Sequence, residues 1–312
     1  MTTVPIIQIN NLSKTYGTGT TPALSRLNLT VNQGEIFGYL GPNGAGKSTT
    51  IRILMDLIRP TTGEAKVFGQ SAQADAVALH ARIGFIPGDM SLWMNYTGRG
   101  VVDYFSRIRG GNYAAHVKNL TSRLDLDLSK GMREYSTGNK RKLGLVLALM
   151  HEPELLILDE PTAGLDPLVQ QTFNELMREQ RTAGRTVFLS SHVLSEVQAI
   201  CDRVAILRGG ELKAVETVEK LIHTDFRWVT LTFNAPVATA LVDGVAGISQ
   251  PTTAGNTLKV RLTGDFDPLL RAVSGLYIAD VQVAEPTLEE IFLAYYGDNG
   301  HSAPVATAQT IR

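Results

Sequence analysis

The sequence predicts an α/β protein with a largely parallel sheet, followed by a smaller α+β unit. Over the first two-thirds of the chain, short runs of leucine and β-branched residues alternate with segments of helical periodicity, as in a parallel sheet covered by helices. From residue 226 onward, apolar and polar residues alternate at the period of half-buried strands. A chain of 312 residues accommodates about two domains of typical size.

The elements of the first region follow from these patterns. Strands are predicted at 6–9, 27–31, 35–40, 83–86, 155–158, 187–190 and 204–207. Helices are predicted at 48–58, 101–109, 139–150, 167–183 and 193–200. The first helix is expected to end before Pro60, since a residue that precedes proline avoids the helical conformation.

The second region is predicted as a split-βαβ unit with the order β-α-β-β-α-β. Its strands are expected at 228–233, 245–249, 258–262 and 277–283, and its helices at 236–242 and 266–274. A last helix begins at Pro286, and its apolar stripe of Leu288, Ile291, Phe292 and Tyr295 is expected to pack on the core. Because residues 298–312 are small and polar, we expect a disordered tail there, which divides the chain into 1–221, 222–297 and 298–312.

Composition and charge exclude several classes of protein. The net charge of −1 gives no general basic surface, so no nucleic-acid partner is expected. Cys201 is the only cysteine, which rules out an intrachain disulfide and a cysteine-rich zinc site. No run reaches the roughly 20 apolar residues that cross a bilayer, and the N-terminus does not read as a secretion signal. Any membrane-spanning part is therefore expected to belong to another chain.

A glycine-rich segment at 41–49, GPNGAGKST, lies between the strand 35–40 and the first helix. It matches the phosphate-binding pattern G-x-x-x-x-G-K-[ST], in which backbone N–H groups and the positive end of a helix surround phosphate oxygens. Lys47 is expected to reach the β- and γ-phosphates and Ser48 to ligate Mg²⁺. A glycine turn without a ligand is the alternative, which the complete match disfavours. The residues expected around the phosphates are Gly41, Asn43, Gly44, Gly46, Lys47, Ser48 and Thr49.

Two carboxylates, Asp159 and Glu160, follow the apolar strand 155–158. Asp159 is suited to hold Mg²⁺ through water, and Glu160 to polarise the attacking water as a general base. An acidic residue at the end of a strand is common, so this signal is weak alone. Together with the loop 41–49 it indicates a catalytic site for nucleotide hydrolysis.

These motifs resemble those of the ATP-binding subunits of ABC transporters, and the resemblance covers residues 4–221. It implies a P-loop NTPase fold of the ABC type, with a helical subdomain at about 88–152 and with ATP and Mg²⁺ as cofactors. It also implies that Tyr16 stacks on adenine, where a surface tyrosine is the alternative. ATP hydrolysis coupled to transport is the activity implied.

Three further segments occupy the places of the family's other elements. In the signature segment 135–139, the resemblance implies that Ser136 and Gly138 contact the γ-phosphate bound by the opposite subunit. The segment 163–166 takes the place of the dimer-contact loop, or is only a turn before a helix. His192 matches the switch histidine that senses the γ-phosphate and orients the base, where a structural histidine is the alternative.

Two departures from the family pattern concern the metal and the signature. The family usually has a glutamine where this chain has Gly88, so either Asp89 substitutes or Mg²⁺ relies on Ser48, Asp159, phosphates and water. The signature segment has Tyr135, Thr137 and Asn139 where leucine, glycine and glutamine are common. Because Glu160 and His192 are present, we expect ATP hydrolysis to be retained.

The C-terminal unit and its segment 285–293 resemble the ATPase subunits of bacterial drug and antibiotic exporters. The resemblance implies a separate transmembrane permease, a second ATPase subunit that is a copy of this chain or a related one, and a location on the cytoplasmic side of the membrane. The loop with Leu92, Trp93, Met94 and Tyr96 either docks the permease or packs into the helical subdomain. A soluble ABC ATPase that regulates other proteins is the alternative function, and the transported compound cannot be read from this chain.

Overall fold

A computed structural model describes residues 5–17, 21–73, 76–90, 94–222, 226–284 and 286 of the chain. The chain divides into two compact units between Glu219 and Lys220. The predicted apolar helix after Pro286, the tail 298–312, Leu92 and Trp93 lie outside the described residues. Among the helices of the described part, none has the length and apolar character needed to cross a membrane.

The first unit alternates strands and helices along most of its length. Its strands are β1 (Pro5–Lys14), β2 (Leu24–Asn32), β3 (Ile36–Leu40), β4 (Thr62–Val67), β5 (Gln70–Ser71), β6 (Ile83–Ile86), β7 (Leu155–Asp159), β8 (Thr186–Ser191), β9 (Arg203–Arg208) and β10 (Glu211–Thr217). Its helices are α1 (Lys47–Leu54), α2 (Ala76–Ala81), α3 (Gly98–Arg109), α4 (Ala114–Arg123), α5 (Thr137–Leu149), α6 (Pro167–Thr182) and α7 (Leu194–Ile200), and α8 (Val218–Ile222) crosses the boundary of the unit.

The strands form two sheets. A six-stranded sheet has the order β10-β9-β3-β8-β7-β6, in which all neighbours are parallel except β9 and β10. A four-stranded antiparallel sheet has the order β2-β1-β4-β5. One cluster of buried side chains, including Ile7, Phe37, Ile51 and Phe188, joins both sheets and α1 into a single core. The expectation of a largely parallel sheet therefore holds for the larger sheet only.

Local sequence explains where the site-forming helices begin. Ser136 caps α5 by accepting a hydrogen bond from the Asn139 N–H at 3.1 Å. Asp166 caps α6 in the same way from Val169 at 3.0 Å, and Pro167 follows it at the first helical position. The segment 163–166 is thus a turn that begins α6, and its role in dimer contact stays a prediction.

The first helix is shorter than predicted. It was expected at 48–58 and ends at Leu54. Asp56 adopts a left-handed backbone conformation (φ 51°), which no α-helix continues through, and its carboxylate pairs with Arg59 at 2.9 Å. The helix therefore stops well before Pro60. The elements β4, β5, α2, α4 and β10 were not predicted at all.

The second unit is a four-stranded antiparallel sheet with helical segments. It contains β11 (Phe226–Phe233), a 3-10 helix (Thr239–Val242), β12 (Ile248–Ala254), β13 (Thr257–Thr263), α9 (Asp267–Val273) and β14 (Ile278–Ala284), with the strand order β12-β13-β11-β14. A separate buried cluster, including Val229, Leu231, Val260 and Leu269, forms its core. The segment predicted as a helix at 236–242 is only one short 3-10 turn, and the second strand lies later than the predicted 245–249.

Candidate nucleotide-binding site

The carboxyl ends of four parallel strands bring the predicted site together. In the six-stranded sheet β3, β8, β7 and β6 are consecutive neighbours that run in the same direction. Because parallel strands end at one edge, the residues that follow them meet there. These residues are the loop 41–49 after β3, His192 after β8, Glu160 after β7 and Gly88 after β6.

The loop 41–49 depends on its glycines in two ways. Gly44 and Gly46 have positive φ angles of 81° and 107°, which residues with a side chain rarely adopt. A Cβ on Gly41 would lie 2.4 Å from the carbonyl oxygen of Leu207, so the loop packs directly against β9. Gly46 precedes α1 without a side-chain cap, which leaves the first N–H groups of the helix available to bind an anion.

Lys47 lies at the centre of this loop and is 6% exposed. Its ammonium donates to the Gly41 carbonyl at 2.6 Å and to the Pro42 carbonyl at 3.3 Å. It also forms an ion pair with Glu160 Oε1 at 3.2 Å. One cation thus links the phosphate-binding loop to the carboxylate expected to act as general base.

Glu160 is held from two sides. Its other carboxylate oxygen lies 2.9 Å from Nδ1 of His192, so the predicted base and the predicted switch histidine are in direct contact. The Glu160 backbone is left-handed (φ 49°), a conformation that costs energy and that clusters at functional sites. The arrangement lets His192 and Lys47 set the direction of the Glu160 carboxylate.

Asp159 is 5% exposed and is fixed by Ser190, a residue that the sequence did not single out. The fully buried Ser190 hydroxyl donates to Asp159 Oδ1 at 2.5 Å and accepts from the Glu160 N–H at 3.1 Å. On the other side, a Cβ on Gly88 would lie 2.9 Å from Asp159 Oδ2. The Asp159 carboxylate is therefore packed between β8 and the Gly88 backbone.

Tyr16 lies close enough to the loop to contact a bound nucleotide. Its ring is 47% exposed, and its hydroxyl lies 3.3 Å from the Thr49 hydroxyl. Lys14 places its ammonium 5.2 Å from the centre of the ring. An exposed aromatic face beside a phosphate-binding loop is suited to stack on a base.

The signature segment presents its start to solvent and packs against the turn 163–166. Ser136 and Thr137 are exposed, whereas Gly138 is partly buried. A Cβ on Gly138 would lie 3.0 Å from the Gly164 carbonyl oxygen, so a larger residue would press on that turn. Tyr135, which replaces the common leucine, is buried and donates its hydroxyl to the Asp127 carbonyl at 2.7 Å. Burial raises the pKa of Tyr135, with a further contribution from the Asp127 carboxylate.

The donors at this site fit a magnesium ion that arrives with a nucleotide. Mg²⁺ in proteins is usually held by one or two carboxylates, waters and substrate phosphates. Asp159 and the Ser48 hydroxyl could supply the protein's share, since α1 packs against β7. Across the residues that the structure describes, no group of three or more His, Cys, Asp and Glu side chains is arranged to hold a metal by itself. Asp89 is exposed beside Gly88 and could be a further ligand.

Comparison with known proteins identifies the family of this chain. The family model described as ABC transporter matches residues 24–163, and a second model, an AAA domain, matches residues 131–197. The bacitracin transport ATP-binding protein BcrA of Enterococcus faecalis is 30% identical over 95% of this chain and 97% of its own length. BcrA of Bacillus licheniformis is 38% identical over 66% of this chain and 68% of its own length.

Among solved structures, one titled "Structure of ATP binding subunit of ABC transporter" superposes with a TM-score of 0.65 at 30% identity, over 69% of this chain and 91% of that one. The expected ABC ATPase fold is thereby confirmed. The chain belongs to the ABC transporter family, as an ATP-binding subunit that hydrolyses ATP to power transport.

Proposed function

We propose that this chain drives the export of a drug, an antibiotic or another lipophilic compound through a separate permease. The observation that carries the proposal is the similarity to two bacitracin transport ATP-binding proteins. One of them aligns with 95% of this chain, so the similarity extends beyond the nucleotide motifs into the second unit. The chain would then lie at the cytoplasmic face of the membrane, attached through the permease.

The proposed hydrolysis places the charge-bearing residues around the γ-phosphate of ATP. Lys47 binds the β- and γ-phosphate oxygens, and Glu160 accepts a proton from water as the water oxygen attacks the γ-phosphorus. The bond from that phosphorus to the β–γ bridging oxygen breaks, which yields ADP and phosphate. His192, 2.9 Å from Glu160, orients the base and the water. Tyr16 stacks on adenine, and the loop residues Gly41, Asn43, Gly44, Gly46 and Thr49 surround the phosphates.

The proposed metal site uses Ser48 and Asp159, with Asp89 as an additional candidate. Bound Mg²⁺ supplies neutralisation of the charge that develops on the phosphate oxygens. The chain's own contribution is to hold the Asp159 carboxylate in place through Ser190 and the Gly88 backbone. Gly88 offers no side-chain ligand in place of the family's glutamine.

Two subunits are proposed to share each site. Ser136 and Gly138 would approach the γ-phosphate bound by a second subunit, and the exposure of Ser136 supports this role. Two copies of this chain would suffice, although a related chain could take the second place. Glu160→Gln keeps the size and shape of the side chain but removes its negative charge and the general base, so it should bind ATP, turn over slowly and accumulate as a dimer in light scattering. ATP-loaded Glu160→Gln protein that stays monomeric would count against the shared site.

We propose that the segment around Met94 and Tyr96 docks the permease, because both side chains are nearly half exposed, at 45% and 48%. This docking segment would belong to a helical subdomain at about 88–152, within a domain that spans 1–221.

Residues 222–297 would form an accessory split-βαβ unit, which the strand order β12-β13-β11-β14 supports.

The test is co-purification of the chain with its permease from detergent-solubilised membranes. The double variant Met94→Ser/Tyr96→Ser should lose the permease while its ATP affinity stays unchanged. Wild-type chain that hydrolyses ATP but never associates with membranes would instead favour a soluble regulatory ABC ATPase.

A further inference from the structure

Arg141 is a buried arginine in α5, the helix that begins at the signature segment. It is only 7% exposed, which is unusual for arginine unless its guanidinium is paired. The guanidinium donates to the Pro87 carbonyl at 2.9 Å and to the Gly88 carbonyl at 3.0 Å. Two consecutive carbonyls of the loop after β6 are therefore held by one side chain of the signature helix.

The loop that Arg141 holds lies directly on the Asp159 carboxylate. At Gly88 a Cβ would come within 2.9 Å of Asp159 Oδ2 and 3.2 Å of its Cγ, so only the glycine backbone fits there without displacement. Ser190 fixes the opposite oxygen of the same carboxylate. The position of Asp159 thus depends on the position of the Gly88 loop, and that loop is tied to α5.

The charges around Arg141 reinforce this connection. Burial lowers the pKa of Arg141, whereas the carboxylates of Asp159, Glu160 and Asp89 raise it. An arginine remains protonated under all ordinary conditions. A permanent positive charge therefore faces the acidic groups that the site uses for the metal and for the base.

We propose that Arg141 is a positioning residue for the magnesium side of the nucleotide site, acting through the Gly88 loop on Asp159. The inference rests on the proposed Mg²⁺–ATP site. In the family, the glutamine at this position of the loop extends its own side chain to the site. Gly88 has no side chain that could do so, and here Arg141 of α5 holds the loop instead. Any shift of Asp159 on metal binding would be passed through Gly88 and Arg141 to the helix that begins beside Ser136.

The test measures how Mg²⁺ changes nucleotide binding, independently of turnover. The full chain is melted with ATP and EDTA, and then with ATP and increasing Mg²⁺, to find the Mg²⁺ concentration that gives half of the thermal shift. Arg141→Met should raise that concentration about 10- to 100-fold, the usual effect of removing a group that orients a metal ligand. Arg141→Lys, a point charge that cannot hold both carbonyls in a fixed fork, should fall between wild type and Arg141→Met.

Lys142→Met is the matched control. Lys142 is the next residue of α5, is 9% exposed and directs its ammonium to the Asp125 carbonyl at 3.4 Å, away from the Gly88 loop. Its variant should melt at a different temperature but keep the wild-type Mg²⁺ dependence.

Unchanged Mg²⁺ dependence in both Arg141 variants would overturn the inference, and so would an equal shift in Lys142→Met, which would show a general effect of α5. A wild-type chain that binds ATP without any response to Mg²⁺ would overturn the proposed metal site itself.

Discussion

Replacing Ser190 with alanine should weaken Mg²⁺ binding and lower stability, although Ser190 itself is not proposed to contact the nucleotide. The Ser190 hydroxyl is fully buried, donates to Asp159 and accepts from the Glu160 N–H. Alanine leaves a buried carboxylate oxygen and a backbone donor without these partners. Ser190 therefore acts on both proposed catalytic carboxylates at once.

The expected magnitudes follow from the chemistry of these bonds. A hydrogen bond to a charged group contributes roughly 1.5–3 kcal/mol, so the free energy of unfolding should fall by about 2 kcal/mol. Loss of a group that orients a metal ligand usually lowers metal affinity about 10- to 100-fold. The Mg²⁺ concentration for half-maximal ATPase activity should therefore rise by that factor.

The assay is ATP hydrolysis titrated with Mg²⁺, alongside denaturant unfolding. Ser191→Ala is the matched control, since Ser191 is equally buried in β8 but donates to Glu196 at 2.6 Å and not to Asp159. It should lose comparable stability and keep the wild-type Mg²⁺ dependence. If Ser190→Ala and Ser191→Ala show the same Mg²⁺ dependence, the reasoning about Asp159 is refuted.

Three further predictions concern Gly88, His192 and His151. Gly88→Ala places a methyl 2.9 Å from Asp159 Oδ2, so calorimetry should show weaker ATP binding with Mg²⁺, by about 10-fold, and unchanged binding in EDTA; equal loss under both conditions would contradict this. His192→Ala removes the partner of Glu160 and should lower kcat about 10²-fold with nucleotide affinity retained, whereas an unchanged kcat would exclude the orienting role. Burial, with the nearby Arg109 charge, lowers the pKa of His151 to about 4. Because the unfolded chain then binds more protons than the folded one between about pH 4 and 6.5, wild type should lose roughly 1–2 kcal/mol of stability from pH 7 to 4.5 at this partly exposed residue. In His151→Leu that loss should be absent from the unfolding curves, and an unchanged pH dependence would contradict it.

The fold was most predictable where strands are buried on both faces. Apolar runs make up β6, most of β7 and the middle of β8, and the predicted positions of these strands differ from the observed ones by at most one residue at each end. In contrast, β4 begins with exposed Thr62, Gly63 and Glu64, so no apolar pattern marks it. The strand β12 contains Pro251 and a left-handed Gln250, which obscure its alternation.

In the second unit, too, the elements were predictable only where the apolar pattern is regular. Its core strands β11 and β13 alternate regularly and were predicted, because every second residue enters the core. The helix predicted at 236–242 spans fewer than two helical turns, which is too short for periodicity to identify a helix. In the structure only Thr239–Val242 is helical, as a 3-10 turn.

At the site, sequence spacing identified residues that belong to contiguous motifs, and the structure brings Lys47, Glu160 and His192 within direct contact. It did not identify Ser190 or Arg141, whose partners lie 31 and 53–54 residues away along the chain. The Ser190 contact depends on the pairing of β7 with β8, and the Arg141 contact depends on α5 packing against β6. In the sequence Arg141 is one of three consecutive basic residues at 140–142, and nothing there marks it as buried beside Gly88.

The most direct test of the account is steady-state phosphate release by wild type and Lys47→Ala at saturating Mg²⁺–ATP. Lys47 links the phosphate-binding loop to Glu160, at 2.6 Å from the Gly41 carbonyl and 3.2 Å from the carboxylate. Lys213→Ala, at a lysine paired with Glu211 on β10, serves as the control for loss of a lysine elsewhere. Lys213→Ala should keep wild-type turnover, whereas folded Lys47→Ala protein should lose about 10²-fold or more. Equal turnover by Lys47→Ala and wild type would contradict the role of Lys47 in ATP hydrolysis.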